Sequence, residues 1–475
     1  MTAIRVRTLA GGDVQLEPSD VNTLAANMRG TLLKPDDPNY DEARTIWNAM
    51  IDRRPALIAR CIGAADVMSC VDFARERGLE LCIKGGGHNI AGLAVSDGAM
   101  MIDMSHMRGV WVDKENRIAH AQAGCTLGDV DRDTQLHGLA AVLGFVSNTG
   151  ITGLTLGGGF GYLTRRFGWT SDNVRSFELV TPDGRLRRAS EADEPDLFWG
   201  LRGGGGNFGV VTAIEYDLYA VGPEITGGAI AWRAEDAEAV LEMFREVNDQ
   251  APPEQVCVAA IRPAPPAPWL PKEIHGKLIV ALFVCDTGPI EQAKKRLASI
   301  KAFGSPVGDI VQPRPYTSQQ SLLDATQPNG RRYYWKSEYL PGVDKGLLEQ
   351  VIKHGGRIAS PHSAILLFPL HGALSDLAED HSAVGNRKTG MVFNVAGSWE
   401  KPEDDEANIR WAREAWNDMR EFSTGGTYIN FLNQEEGDDR IRDAYGTNYE
   451  RLVEIKTKYD PGNVFRTNKN VAPKR

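Results

Sequence analysis

Nothing in this sequence approaches the roughly 18 consecutive apolar residues that a membrane-spanning helix needs, so no segment is expected to cross a bilayer. No run of lysine or arginine is present. Acidic residues outnumber basic ones, 63 to 53, for a formal charge of −10. That balance argues against nucleic acid or an anionic membrane surface as the main partner. Residues 1–18 lack a basic start leading into an apolar run, so no secretory signal is read there. Cysteine is sparse, six residues with none at CxxC spacing. In a chain of 475 residues these read as reduced core thiols of a cytoplasmic protein. The nine histidines include no HExxH, and His362, His371 and His381 are spaced too widely to suggest a metal site, so none is expected. No GxGxxG opens a strand–helix unit with an acidic residue about 20 positions later, which argues against nicotinamide-dependent Rossmann chemistry.

What the chain has in quantity is glycine, 50 residues, much of it clustered. The first cluster follows a short strand expected at 80–83: Lys84, then Gly85, Gly86 and Gly87, then His88 and Asn89. Glycine lets backbone approach a ligand closely, and successive N–H groups in such a turn form an anion-binding nest with His88 at its mouth. The second cluster holds Gly150, Gly153, Gly157, Gly158, Gly159 and Gly161 within twelve residues. Such density is ruinous inside a helix or packed strand, but suits backbone lying against a large flat or phosphate-bearing ligand. A third cluster, 200–209, runs into a strand at 210–218 that contains Val211.

Between these centres the chain alternates strand and helix in short units. Val67, Cys70, Val71 and Ala74 recur at helical spacing over 64–78, with Gly78 as a stop. Strands are expected at 100–104 and 117–123. Thr126 is placed to cap a helix ending near Gly138. A hairpin turns at Pro182-Asp183-Gly184 between 177–181 and 186–189. After Val221 the glycine clusters stop. Strands are then expected at 226–233, 255–262, 278–285, 333–340, 364–369 and 391–399, and helices at 234–248, 289–303, 344–355 and 404–422. This is a mostly antiparallel sheet with helices on one face. The fold class is therefore α+β, divided at 1–221, 222–424 and 425–475. The last segment is rich in aromatics around Tyr428, Asn430, Tyr459 and Phe465, with a strong turn at Asp460-Pro461-Gly462-Asn463.

In their order and spacing, these four motifs resemble the FAD-linked oxidases of the vanillyl-alcohol oxidase superfamily, in the berberine-bridge-enzyme-like branch. The resemblance implies an FAD domain made of 1–221 and 425–475, with 222–424 roofing the isoalloxazine ring and forming the substrate pocket. It assigns the cofactor to the glycine turns, with Lys84, Asn89, Val211, Tyr428, Asn430 and Asn463 beside them. It implies a covalent bond from His88 to the flavin 8α-methyl, which anchors the cofactor and favours hydride acceptance. Many members carry a second link through a cysteine shortly before the Gly150 cluster. Val146 stands there and Cys125 is too far upstream, so one covalent bond is expected.

Three departures from the family pattern bear on chemistry. Lys84 replaces the usual arginine, keeping charge but losing the bidentate fork. Phe160 stands where plant members often have tyrosine. Asn394 falls where berberine bridge enzyme has a catalytic glutamate, and an amide is no general base. Tyr428 is then the expected residue over the flavin, orienting a substrate hydroxyl or taking its proton if Lys336 lowers its pKa, with His371 and Asn394 lining the pocket. Thr149 occupies the position that governs oxygen access, where valine goes with oxidases and leucine with dehydrogenases. The resulting expectation is a monocovalent FAD oxidase that moves hydride from a C–OH or C–N carbon of a small organic substrate to flavin N5 and reduces O2 to H2O2. The alternatives are a dehydrogenase with a non-oxygen acceptor and a flavin-binding protein without redox turnover.

Overall fold

The computed structural model describes residues 3–474. Val67, Cys70, Val71 and Ala74 lie buried along the helix Ala64–Arg77, which ends where Gly78 takes a left-handed φ of 61°. This helix leads into the strand Leu81–Lys84, the edge of a four-stranded sheet ordered Thr31–Leu33, Leu57–Arg60, Met100–Asp103, Leu81–Lys84. Leu81–Lys84 and Leu57–Arg60 both run parallel to Met100–Asp103. The first glycine turn therefore leaves the sheet from an edge strand, with its backbone free to face elsewhere.

A second, antiparallel sheet is ordered Leu186–Ser190, Val174–Val180, Val210–Asp217, Ile118–Gln122, Val110–Asp113. The expected hairpin is its first pair. Thr126 caps the helix Leu127–Gln135 by accepting from the Asp129 N–H. The core of this part is shared with the C-terminal tail: Leu197, Phe198 and Phe208 pack with Ile441, Tyr445, Leu452 and Ile455.

The third sheet spans Glu224–Arg233 to Met391–Trp399 and is antiparallel throughout. Its central order is Glu224–Arg233, Leu278–Asp286, Gln255–Pro263, Ala364–Pro369, Met391–Trp399, Arg332–Leu340. Successive side chains on a strand point to opposite faces. Cys257, Ala259, Ile261, Val280, Leu282, Ile365, Leu367, Phe393 and Val395 take one face, under the helices Ala237–Gln250, Lys345–Gly355 and Asp405–Met419. The intervening residues, Val258, Ala260, Ala281, Phe283, Phe368 and Val392, turn to the other face. The mostly antiparallel sheet with helices on one side is as the succession of strands and helices predicts.

One local expectation fails. The second glycine cluster is not free of helix: Ile151–Leu156 forms a short one with Gly153 inside it. A Cβ at Gly153 would have nothing within 4 Å, so the helix is bare on the side that faces the cavity described below. Among the described residues no helix is long and apolar enough to cross a membrane.

The tail is pinned by a buried ion pair. Lys456 and Asp460 are both fully buried, 2.6 Å apart. The Lys456 ammonium also donates to the carbonyls of Asn207 at 2.8 Å and Phe465 at 3.0 Å, so its three donors are all used. The Asp460 carboxylate accepts from the N–H groups of Val464 and Phe465.

Candidate active site

A cavity of about 350 Å³ lies between the glycine turns, the tail and the helix-free face of the large sheet. Gly85, Gly86, Gly87, His88, Asn89, Val146, Thr149, Gly150, Gly153, Gly157, Val211, Tyr428 and Asn430 all line it, as does Phe160. Among the described residues the backbone N–H groups of Gly86, Gly87, His88 and Asn89 donate to no protein acceptor. Backbone donors inside a protein are nearly always paired, so this row of four beside the cavity stands out. The first two turns touch each other: a Cβ on Gly86 would sit 2.5 Å from the backbone of Gly150. Only two glycines permit that approach.

His88 opens into this cavity with its ring stacked on Trp47, centroids 5.2 Å apart and planes within 17°. Trp47 is stacked in turn on Tyr333 at 3.6 Å and donates its indole N–H to the Gln327 carbonyl at 3.1 Å. Burial pushes the imidazole pKa down to about 4. Neither ring nitrogen has a protein hydrogen-bond partner among the described residues. His88 is therefore a neutral imidazole with a free lone pair at neutral pH.

Tyr428, 2% exposed, is packed among Phe160, Trp169 and Phe431. Its hydroxyl oxygen accepts from the Gly159 N–H at 3.0 Å and the Asn430 amide at 2.9 Å. Burial raises its pKa, partly opposed by those two donors. The phenol stays protonated, and with both acceptor positions filled its own O–H is left to donate. The expectation that Lys336 lowers this pKa is corrected. Lys336 follows Trp335 on the strand Arg332–Leu340, and the pleat turns the two to opposite faces. Trp335 lines the cavity. Lys336 instead pairs with Glu435 at 2.9 Å and Glu436 at 2.6 Å, over the Trp416 ring.

Other expected site residues also fall outside the lining. His371 lies just past the end of the strand Ala364–Pro369, with its ring nitrogens against the carbonyls of Asn248 and Gly390. Lys84 points back to donate to the Ala43 carbonyl at 2.6 Å. Gly158, Gly159 and Gly161 form the wall behind the cavity; a Cβ on Gly161 would meet the Leu143 carbonyl at 1.9 Å. Asn463 is a turn residue, at φ 48° with its N–H donating to the Asp460 carbonyl at 3.0 Å. Asn394 does line the cavity, and its buried side-chain oxygen has no partner. Cys125 is buried away from the lining, its thiol against the Gly109 carbonyl, and all six cysteines are free and buried.

Several lining residues were not foreseen. The sheet contributes Arg262, Trp335 and Leu366, the loops Gln327 and His362, and the tail Phe465, Thr467, Asn468 and Lys469. Arg262 follows Val258 and Ala260 at period 2, and that alternation was the available signal. Burial lowers the Lys469 pKa to about 8. Among the described residues no aspartate or glutamate lines the cavity.

A family model described as an FAD binding domain matches residues 55–190, and one described as berberine and berberine like matches residues 427–472. The FAD-linked oxidoreductase YgaK of Bacillus subtilis is 31% identical over 458 residues, covering 94% of this chain and 98% of that protein. The (R)-6-hydroxynicotine oxidase of Paenarthrobacter nicotinovorans is 29% identical over 469 residues, covering 94% of this chain and 97% of its own length. The crystal structure of 6-hydroxy-D-nicotine oxidase from Arthrobacter nicotinovorans matches with a TM-score of 0.84 at 27% identity, over 94% of this chain and 98% of that one. The fold and the cavity define an FAD-linked oxidoreductase. Within that class the chain belongs to the berberine-bridge-enzyme-like family.

Proposed function

We propose that this chain is an oxidase that carries FAD on one covalent link, through His88, and oxidises a C–OH or C–N carbon of a small organic substrate with O2 as acceptor. The observation that carries this reading is His88: neutral, unpartnered, held by Trp47, and opening into a glycine-lined cavity. The wall residue at the position of a second link is Val146, which offers no thiol. The residues present fit FAD, because the unpaired N–H groups of residues 86–89 suit a phosphate and a side chain at Gly153 or Gly206 would project into open space.

FAD supplies the hydride acceptor and the route for electrons to oxygen. The chain's own residues bind, orient and exclude water. Tyr428 donates its phenol hydrogen to the oxygen or nitrogen of the substrate, and the Asn394 amide fixes its approach. Phe145, Phe160, Phe368 and Phe431 keep the reacting region apolar. With Tyr428 held protonated and no aspartate or glutamate among the described lining residues, neither a phenolate nor a carboxylate takes the substrate proton. Thr149, a side chain of valine's bulk on the cavity wall, supports O2 as acceptor.

Acid precipitation of the purified protein tests the covalent link. The pellet of the wild type is expected to be yellow and that of His88→Ala colourless. A wild-type supernatant carrying all the flavin would overturn it. Oxygen uptake and peroxide release during turnover test the acceptor: a substrate that bleaches the flavin without consuming oxygen favours the dehydrogenase reading.

A further inference from the structure

The sheet side of the cavity holds a cation that the chain leaves without a counter-ion. Arg262 sits on the strand Gln255–Pro263, 8% exposed, on the same face as Val258 and Ala260. Among the described residues its one hydrogen bond runs from Nε to the Pro263 carbonyl at 3.2 Å. Among the described residues no carboxylate forms an ion pair with it. Burial pulls its pKa down to about 10, and the Arg331 guanidinium adds repulsion. An unpaired buried charge is costly and is normally matched by an ion or a partner. Burial depresses the pKa of His362, another lining residue, and the same two guanidiniums add to that. The acid facing that imidazole is Glu400, 3.1 Å away, whose side chain is 66% exposed. This end of the cavity therefore carries net positive charge.

Neutral polar groups line the same cavity. Among the described residues the buried Trp335 indole N–H has no partner, and the side-chain amides of Gln327 and Asn394, whose buried oxygens are also unpaired, make no hydrogen bond within the protein. Ala364 and Ala396, on the neighbouring strands, keep the floor open beside them. The remaining wall is apolar and aromatic, with Phe160, Phe283, Leu366 and Phe368.

We propose that the substrate is an organic acid with an aromatic or bulky apolar body, whose carboxylate is held by Arg262. This rests on the reading of the cavity as the substrate site of an FAD-linked oxidoreductase. Arg262 pairs with the carboxylate through its terminal N–H groups, while Trp335, Gln327 and Asn394 supply neutral donors around it. The acid end is thereby fixed at the sheet, and the carbon to be oxidised is carried towards Tyr428 and the glycine turns.

The test is a titration of the purified flavoprotein with benzoate and with 1-naphthoate, each against its neutral amide, read by perturbation of the flavin absorbance. The acids are expected to bind about ten- to hundredfold more tightly than the amides, the range of a charged hydrogen-bonded contact. Arg262→Gln is expected to abolish that preference and Arg262→Lys to keep part of it, both with wild-type flavin content. Absent acid binding, equal binding of acid and amide by the wild type, or a preference that survives Arg262→Gln each overturn the proposal. The wild-type comparison stands even if a variant fails to fold. A preparation without flavin sinks the oxidoreductase reading instead, and the preference for acid is then read from tryptophan quenching at Trp335.

Discussion

Replacing Lys456 by methionine should detach the C-terminal tail from the body of the protein. The Lys456 ammonium has three acceptors, the Asp460 carboxylate and the carbonyls of Asn207 and Phe465, and both charged partners are fully buried. Lys456→Met leaves the Asp460 charge buried without a cation, a class of change that costs about 3–5 kcal/mol. At about 2.1 cal/mol/K per residue, the unfolding entropy of a 475-residue chain is about 1 kcal/mol/K, so the melting temperature should fall by about 3–5 °C. Flavin content should fall with it, because the tail carries Phe465, Thr467, Asn468 and Lys469 to the cavity. Adding Asp460→Asn to Lys456→Met removes the stranded charge while keeping an acceptor for the Val464 N–H, and should recover part of the loss. Far-UV circular dichroism melts with flavin-to-protein ratios measure both effects. A single variant that melts within about 1 °C of wild type, or a double variant no better than the single, would refute the account of the pair.

Two further predictions concern the cavity. In flavin-free protein the imidazole of His88 titrates at about 4, against an ordinary 6.5. Its folded pKa is depressed, so its contribution to stability is full above about pH 6.5 and lost as pH falls through about 4, roughly 3 kcal/mol in all. Acid unfolding of apo wild type should therefore be steeper over that window than that of apo His88→Ala; identical acid limbs would count against a buried neutral imidazole. Tyr428→Phe should lower kcat about ten- to hundredfold with flavin content unchanged, whereas Lys336→Met should lower the melting temperature and leave kcat alone. Steady-state rates and melts on the two variants decide this, and a kcat loss in Lys336→Met would return that residue to the chemistry.

The large sheet was legible because its strands are short, mostly apolar runs, and the strand Met391–Trp399 begins and ends where that run does. The glycine turns were legible as turns. Which glycines face a ligand was not, since a residue can be glycine to admit a cofactor or to admit another backbone. At Gly153 a Cβ would meet open space, whereas at Gly161 it would meet the Leu143 carbonyl. Lys336 was misplaced by one step of the pleat: both faces of its strand are covered, so alternation of polarity gives no parity there. Arg262 escaped notice for a related reason, because a charge at the end of an apolar strand reads as a solvated terminus. Asn463 follows the Asp460 turn closely, and its left-handed backbone is one reason for an asparagine there.

The Trp47–Tyr333 stack joins two regions that would otherwise be free to evolve apart. Trp47 belongs to the N-terminal part and fixes the His88 ring, while Tyr333 belongs to the strand that also presents Trp335 to the cavity. Any redesign of that strand to admit a different substrate will therefore tug on the His88 ring. Engineered specificity in this protein should be screened for loss of colour as well as for gain of turnover.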